Sequence, residues 1–80
     1  MYYVYIIKSI SESDNFYVGY TNNLNIRLKQ HNSGTSFHTK KYESWELIFY
    51  AVFQDKLKAI EFEKYLKSHS GRIFMQKRLC

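Results

Sequence analysis

Between Asn15 and Gly34 a strand pattern runs into a helix pattern with almost no chain between them, and this fixes which side chains can meet. Phe16 to Tyr20 is short, aromatic and β-branched, so its period of two places Tyr17 and Gly19 on one face, with Gly19 leaving space beside Tyr17. From Leu24 the spacing changes. Leu24 and Leu28 stand one helical turn apart, Thr21 or Asn22 can cap the start, and Gly34 offers the left-handed residue that commonly stops a helix. At about 100° per residue, Arg27 and His31 (i, i+4) then lie side by side along one edge of the leucine stripe, where the helix turns from core toward surface. A cation and an imidazole beside a tyrosine-bearing strand form a candidate site.

The rest of the chain supplies a sheet and its cover. Residues 2–8 are β-branched and aromatic, which predicts a strand buried on both sides with Tyr3, Tyr5 and Ile7 on one face. The polar turn from Ser9 to Asn15 joins it to the second strand as a hairpin. Trp45 to Phe53 alternates Trp45, Leu47, Phe49, Ala51 and Phe53 against Glu46, Ile48, Tyr50 and Val52, the period-two pattern of a third strand. Asp55 caps a helix reaching about Ser68, and a last short helix follows Gly71. The order β-β-α-β-α-α predicts an α+β fold, a small three-stranded antiparallel sheet flanked by helices, occupying residues 1–80 as one domain.

Cysteine and charge narrow the function. Cys80 is the sole cysteine, so neither a disulfide within the chain nor a cysteine metal cluster can form, and no apolar run approaches a membrane span. These features predict a soluble cytoplasmic protein without a membrane partner. Twelve Lys and Arg against seven Asp and Glu give a formal charge of +5, and eight Tyr with six Phe accompany it. A basic, aromatic-rich chain suits phosphate contact and base stacking, which points to DNA or RNA. Seven of the twelve basic residues follow position 55, among them Arg72, Lys77 and Arg78, while Lys40 and Lys41 lie with His38 in a polar loop from Ser33 to Ser44.

One acid stands out. Ala59, Phe62, Glu63 and Leu66 follow i, i+3, i+4, i+7, so Glu63 falls inside its own helix's apolar stripe, whereas Glu61 points to the opposite side. An acid placed there needs a cation, a metal or hydrogen bonds, because burying a carboxylate alone costs several kcal/mol. A salt bridge to a Lys or Arg would satisfy it as well as a metal would.

These residues resemble the GIY-YIG nuclease superfamily, and within it the small single-domain bacterial proteins related to the nuclease domain of the excinuclease C subunit. Tyr3-Val4-Tyr5 stands where the family has Gly-Ile-Tyr, and Tyr17-Val18-Gly19 where it has Tyr-Ile-Gly. Arg27 and His31, then Glu63, then Ser70-Gly71-Arg72 and Lys77-Arg78-Leu79 follow in the family's order. Tyr3 replaces the first motif glycine, and Tyr20 stands where some relatives carry a lysine. The resemblance implies phosphodiester cleavage with one divalent ion, Mg²⁺ or Mn²⁺, held by Glu63. It further implies that Arg27 faces the scissile phosphate and that Tyr5 and Tyr17 line the site, one of them deprotonating the attacking water; Tyr17 is the preferred base, with His31 assisting, and Tyr5 is the alternative. Arg72, Lys77, Arg78, Lys40 and Lys41 would contact the nucleic acid backbone. DNA repair or recombination intermediates are the implied substrates, with a protein partner supplying specificity. The alternative is a nucleic-acid-binding module of the same fold that does not cut.

Overall fold

The most β-prone stretch of the chain takes the centre of the sheet. In the computed structural model, which describes residues 1–10, 15–33 and 44–80, the elements run β1 (Tyr2–Ser9), β2 (Phe16–Thr21), α1 (Leu24–Asn32), β3 (Trp45–Phe53), α2 (Lys56–Lys67) and α3 (His69–Arg78). Both pairings are antiparallel in the order β2-β1-β3, so the α+β arrangement expected from the element order is the one present. Val4, Tyr5, Ile6 and Ile7 of the central strand are fully buried. Alternation then divides them: Val4 and Ile6 face α2 and α3 through Ala59, Leu66 and Met75, whereas Tyr5 and Ile7 face α1 through Leu24 and Leu28. Each side chain is thereby committed to one of two cores.

The third strand departs from strict alternation. Ile6 pairs with Phe49 but Ile7 pairs with Leu47, so Ile48 is an extra residue and the register shifts there. The five odd-numbered residues therefore do not share a face. Trp45 and Leu47 pack on the α1 side with Tyr5 and Ile7, while Phe49 and Phe53 pack on the α2 side with Val4 and Ile6. Both faces of β3 are used.

Helix boundaries follow the short polar side chains, at the expected position for α2 and at shifted positions for α1 and α3. Asn23, not Thr21 or Asn22, caps α1, its Oδ1 accepting from Ile26 N at 3.1 Å, while Thr21 Oγ1 accepts from Asn23 N at 3.1 Å. Thr21 is still paired as the last residue of β2 and so cannot leave the strand to cap. Gly34, with Lys40 and Lys41, lies outside the described residues. Asp55 caps α2 as expected, accepting from Leu57 N at 2.9 Å. Ser68 ends α2 and begins α3, its Oγ donating to Tyr65 O at 2.6 Å and accepting from Gly71 N at 3.1 Å. This starts α3 at His69, ahead of Gly71, and places the glycine in its first turn.

Gly71 is needed there for space. A Cβ at Gly71 would overlap the carbonyl of Tyr65, a backbone group that no rotamer change can move. Gly71→Ala is expected to lower stability by about 1–3 kcal/mol, the usual cost of overpacking, read as a shift of the urea midpoint. The exposed neighbour change Ser70→Ala should stay within about 0.5 kcal/mol. Equal midpoints for the two variants would contradict this tight helix-to-helix corner.

Candidate active site

On the α1 face of the sheet the phenol of Tyr5 reaches across β2 toward the helix. Tyr5 pairs with Gly19, and a Cβ at Gly19 would overlap the Tyr5 hydroxyl and ring. The space that Gly19 leaves is thus filled by Tyr5, and not left open beside Tyr17. Tyr5 Oη lies 2.7 Å from His31 Nε2, a buried contact that joins the central strand to α1. His31 is itself fully buried, deeper than the helix edge on which spacing had put it.

Arg27 meets the same hydroxyl from the preceding turn of α1. Its Nε donates to Tyr5 Oη at 3.3 Å and its Nη1 donates to Gln30 Oε1 at 2.9 Å. A guanidinium can only donate, so Tyr5 Oη accepts from Arg27, and the direction of its bond with His31 Nε2 is set by the imidazole tautomer. Burial works against the charged guanidinium, but hydrogen bonds and charge interactions with Tyr5 and Tyr17 outweigh it and raise its pKa above the ordinary value. Arg27 is fixed in place and permanently cationic. Its outer side lines a shallow hollow of about 540 Å³ with Tyr20, Asn22 and Ile26, open to an incoming group.

Tyr17 completes the cluster. Its ring centroid is 5.1 Å from that of His31 and 6.4 Å from that of Tyr5. The two phenols differ in environment. Burial pushes the Tyr5 pKa up to about 12, against the opposing pull of Arg27, so Tyr5 keeps its proton. Tyr17 is partly exposed and lines a second groove on the far side of β2.

Glu63 arrives from α2 by way of Lys67. Lys67 Nζ lies 2.9 Å from Glu63 Oε2 and 5.9 Å from the centroid of the Tyr17 ring. The acid in the apolar stripe therefore has the salt-bridge partner that burial demands. Glu63 remains 20% exposed and Lys67 49% exposed, and an (i, i+4) pair of that kind contributes only about 0.3–0.5 kcal/mol. A divalent cation can displace it. No group of three or more His, Cys, Asp or Glu gathers among the described residues, which leaves no multi-ligand transition-metal site there. A single carboxylate suits Mg²⁺, a hard ion that keeps most of its waters and is bound through one or two carboxylates plus substrate phosphate.

Of the residues singled out by sequence, Tyr5, Tyr17, Arg27 and His31 form one cluster, and Glu63 joins it through Lys67. Arg72 lines the groove beside Tyr17, whereas Lys77 and Arg78 are exposed in the last turn of α3 and do not line it. Sequence reasoning missed Lys67 and Gln30 as members, although their spacing of i+4 from Glu63 and i+3 from Arg27 carried the signal.

Comparison with known proteins follows the same residues. A sequence model of the GIY-YIG catalytic domain matches residues 1–78. A UPF0213 protein of Clostridium perfringens is 40% identical over 68 residues, which cover 84% of this chain and 71% of that protein. Structure-specific endonuclease subunit SLX1 of Debaryomyces hansenii is 37% identical over 73 residues, 82% of this chain but only 21% of the yeast subunit. The solution NMR structure of a UPF0213 protein from Bacillus halodurans superposes with a TM-score of 0.57 at 31% identity, covering 95% of this chain and 81% of that one.

The buried hydroxyl generates a stability prediction with a pH signature. Tyr5→Phe removes the 2.7 Å contact and strips a partner from buried His31, a loss of about 1–3 kcal/mol in the urea midpoint. Below pH 10 the phenol is neutral in folded and unfolded chains alike. Above it the unfolded chain ionises first, so the stability tied to Tyr5 is lost as pH rises from 10 toward 12. Tyr5→Phe should lose stability less steeply over that interval; a slope equal to wild type would contradict a neutral, buried Tyr5.

Proposed function

The chain belongs to the GIY-YIG catalytic domain family, and from that premise we propose that it is a divalent-metal-dependent endonuclease cleaving phosphodiester bonds in DNA. The observation that carries this reading is Arg27, held by Tyr5 and Gln30 beside Tyr17 with its outer side open to the hollow. A guanidinium so fixed presents its charge to a phosphate without reorganising.

Each residue then has a separable task. Arg27 binds the scissile phosphate and neutralises the charge that grows as the attacking oxygen bonds to phosphorus and the leaving oxygen departs. Tyr17 accepts the proton of the attacking water, with Arg27 beside it and the ammonium of Lys67 5.9 Å from its ring centroid. Tyr5, protonated, orients Arg27 and His31, and His31 assists by holding both tyrosine rings. Glu63 would hold one Mg²⁺ or Mn²⁺, which when bound supplies Lewis-acid charge stabilisation and lowers the pKa of the attacking water. With an ion there, Glu63 would release Lys67, whose ammonium would be available to a backbone phosphate.

The wider setting is part of the same reading. Among the described residues no helix is long and apolar enough to cross a membrane, and the charge of +5 suits a cytoplasmic protein acting on nucleic acid. The yeast relative is named as a structure-specific endonuclease subunit, which supports repair or recombination intermediates as substrates and a protein partner that supplies specificity. Arg72, with Lys77 and Arg78 at the end of α3 and Lys40 and Lys41 outside the described residues, would follow the backbone. The Glu63–Lys67 ion pair is the one observation favouring a module that binds without cutting.

Cleavage in Mg²⁺ should stop on addition of chelator, and Glu63→Ala should lower the single-turnover rate by about 10²-fold or more. Tyr17→Phe, which keeps the ring and its packing, should lower it by roughly 10²–10⁴-fold with little change in affinity. Cleavage unaffected by both chelator and Glu63→Ala would sink the metal assignment. An inactive wild type that still binds DNA would establish the non-cutting module.

A further inference from the structure

A groove of about 430 Å³ runs along the outer edge of β2, between the strand and the α2–α3 corner, and the catalytic scheme assigns tasks to residues on its wall and rim but none to its interior. Its floor is apolar, made by buried Val18, Leu66 and Met75. Phe16 and Tyr17 form one wall, and Lys67, Arg72 and Gln76 stand on the rim. Tyr17 belongs to both places, with one side against His31 and the other lining the groove. Among the described residues no carboxylate lines it and Arg72 has no ion pair.

We propose that this groove receives one unpaired nucleotide of DNA next to the phosphate held by Arg27, so that the site favours a junction with an extrahelical base over continuous duplex. The inference rests on the reading of the neighbouring cluster as one that acts on DNA. Its chemistry is that of a nucleotide in three respects. The apolar floor and aromatic wall match a flat base, the amide of Gln76 matches its hydrogen-bonding edge, and the two rim cations match the phosphate that follows. Size supports the same occupant: ligand pockets span about 300–1,000 Å³, and this volume admits a nucleotide but no duplex. A base can reach the buried floor only by leaving its stack, which is least costly where it is already unpaired. Charge complementarity with Lys67 and Arg72 provides the attraction, and Tyr17 provides the coupling to the cluster.

Three DNAs decide the matter, with binding read by fluorescence anisotropy in chelator so that nothing is cut. They are a continuous duplex, the same duplex with one bulged nucleotide, and that bulge with an abasic residue in place of the base. Wild type should bind the bulge about tenfold more tightly than the duplex, and the abasic bulge should lose that gain. Gln76→Trp, at an exposed position whose larger side chain fills the groove, should reduce the bulge-to-duplex affinity ratio toward one, with its melting temperature confirming the fold. Equal affinity for bulge and abasic bulge, or for bulge and duplex, overturns the assignment, and both comparisons need only the wild-type protein. The two readings fail separately. A persisting preference with no cleavage of any DNA in Mg²⁺ keeps the groove and removes the nuclease, while cleavage of all three at one rate and one affinity keeps the nuclease and removes the groove.

Discussion

The structure depends on a hydrogen bond between the middle of its central strand and the last turn of its first helix. Tyr5 Oη and His31 Nε2, 2.7 Å apart and both buried, are polar groups that neither core could hold singly without a penalty of a few kcal/mol. Joined, they satisfy one another and fix how α1 lies across the sheet. Three other features follow from that one contact. Gly19 must lack a side chain because the phenol passes over it; Arg27 finds the same oxygen from one turn away; and Tyr17 packs its ring against the imidazole. The polar cluster is thus a condition of the fold as well as a site built upon it.

Much of this was legible in the sequence because periodicity reports faces directly. The strand bounds of β3, the Asp55 cap, the neighbouring positions of Arg27 and His31, and the odd placement of Glu63 all rest on spacings of two or 3.6 residues. What failed to show was of a different physical kind. The extra residue at Ile48 breaks a perfect alternation in a strand whose residues are apolar on both sides, so no polar residue marked the shift. The role of Gly19 depends on a side chain from another strand, and the depth of His31 depends on a partner 26 residues away in sequence, information that local spacing does not hold. The choice of Asn23 over Thr21 turned on where β2 stops pairing.

Charge tells a similar story. A basic C-terminal third is visible in composition, but composition treats Arg72, Lys77 and Arg78 alike. Helix geometry separates them, because Arg72 and Gln76 line the groove beside β2, while Lys77 and Arg78 project from the final turn of α3. Lys67 shows the reverse: an ordinary (i, i+4) partner on paper, it stands between the acid of α2 and the tyrosine of β2. The (i, i+4) ion pair of α2 is therefore also the link between the two halves of the site.

The central claim is that Arg27 acts through the fixed orientation of its guanidinium and not through charge alone, and Arg27→Lys tests it most directly. Lysine keeps the positive charge but cannot donate along the fork that reaches Tyr5 and Gln30 together. Single-turnover cleavage of DNA in Mg²⁺, measured beside a melting curve for each protein, should fall by about 10²-fold or more while the variant stays folded at the assay temperature. A folded Arg27→Lys protein that cuts as fast as wild type would contradict the account.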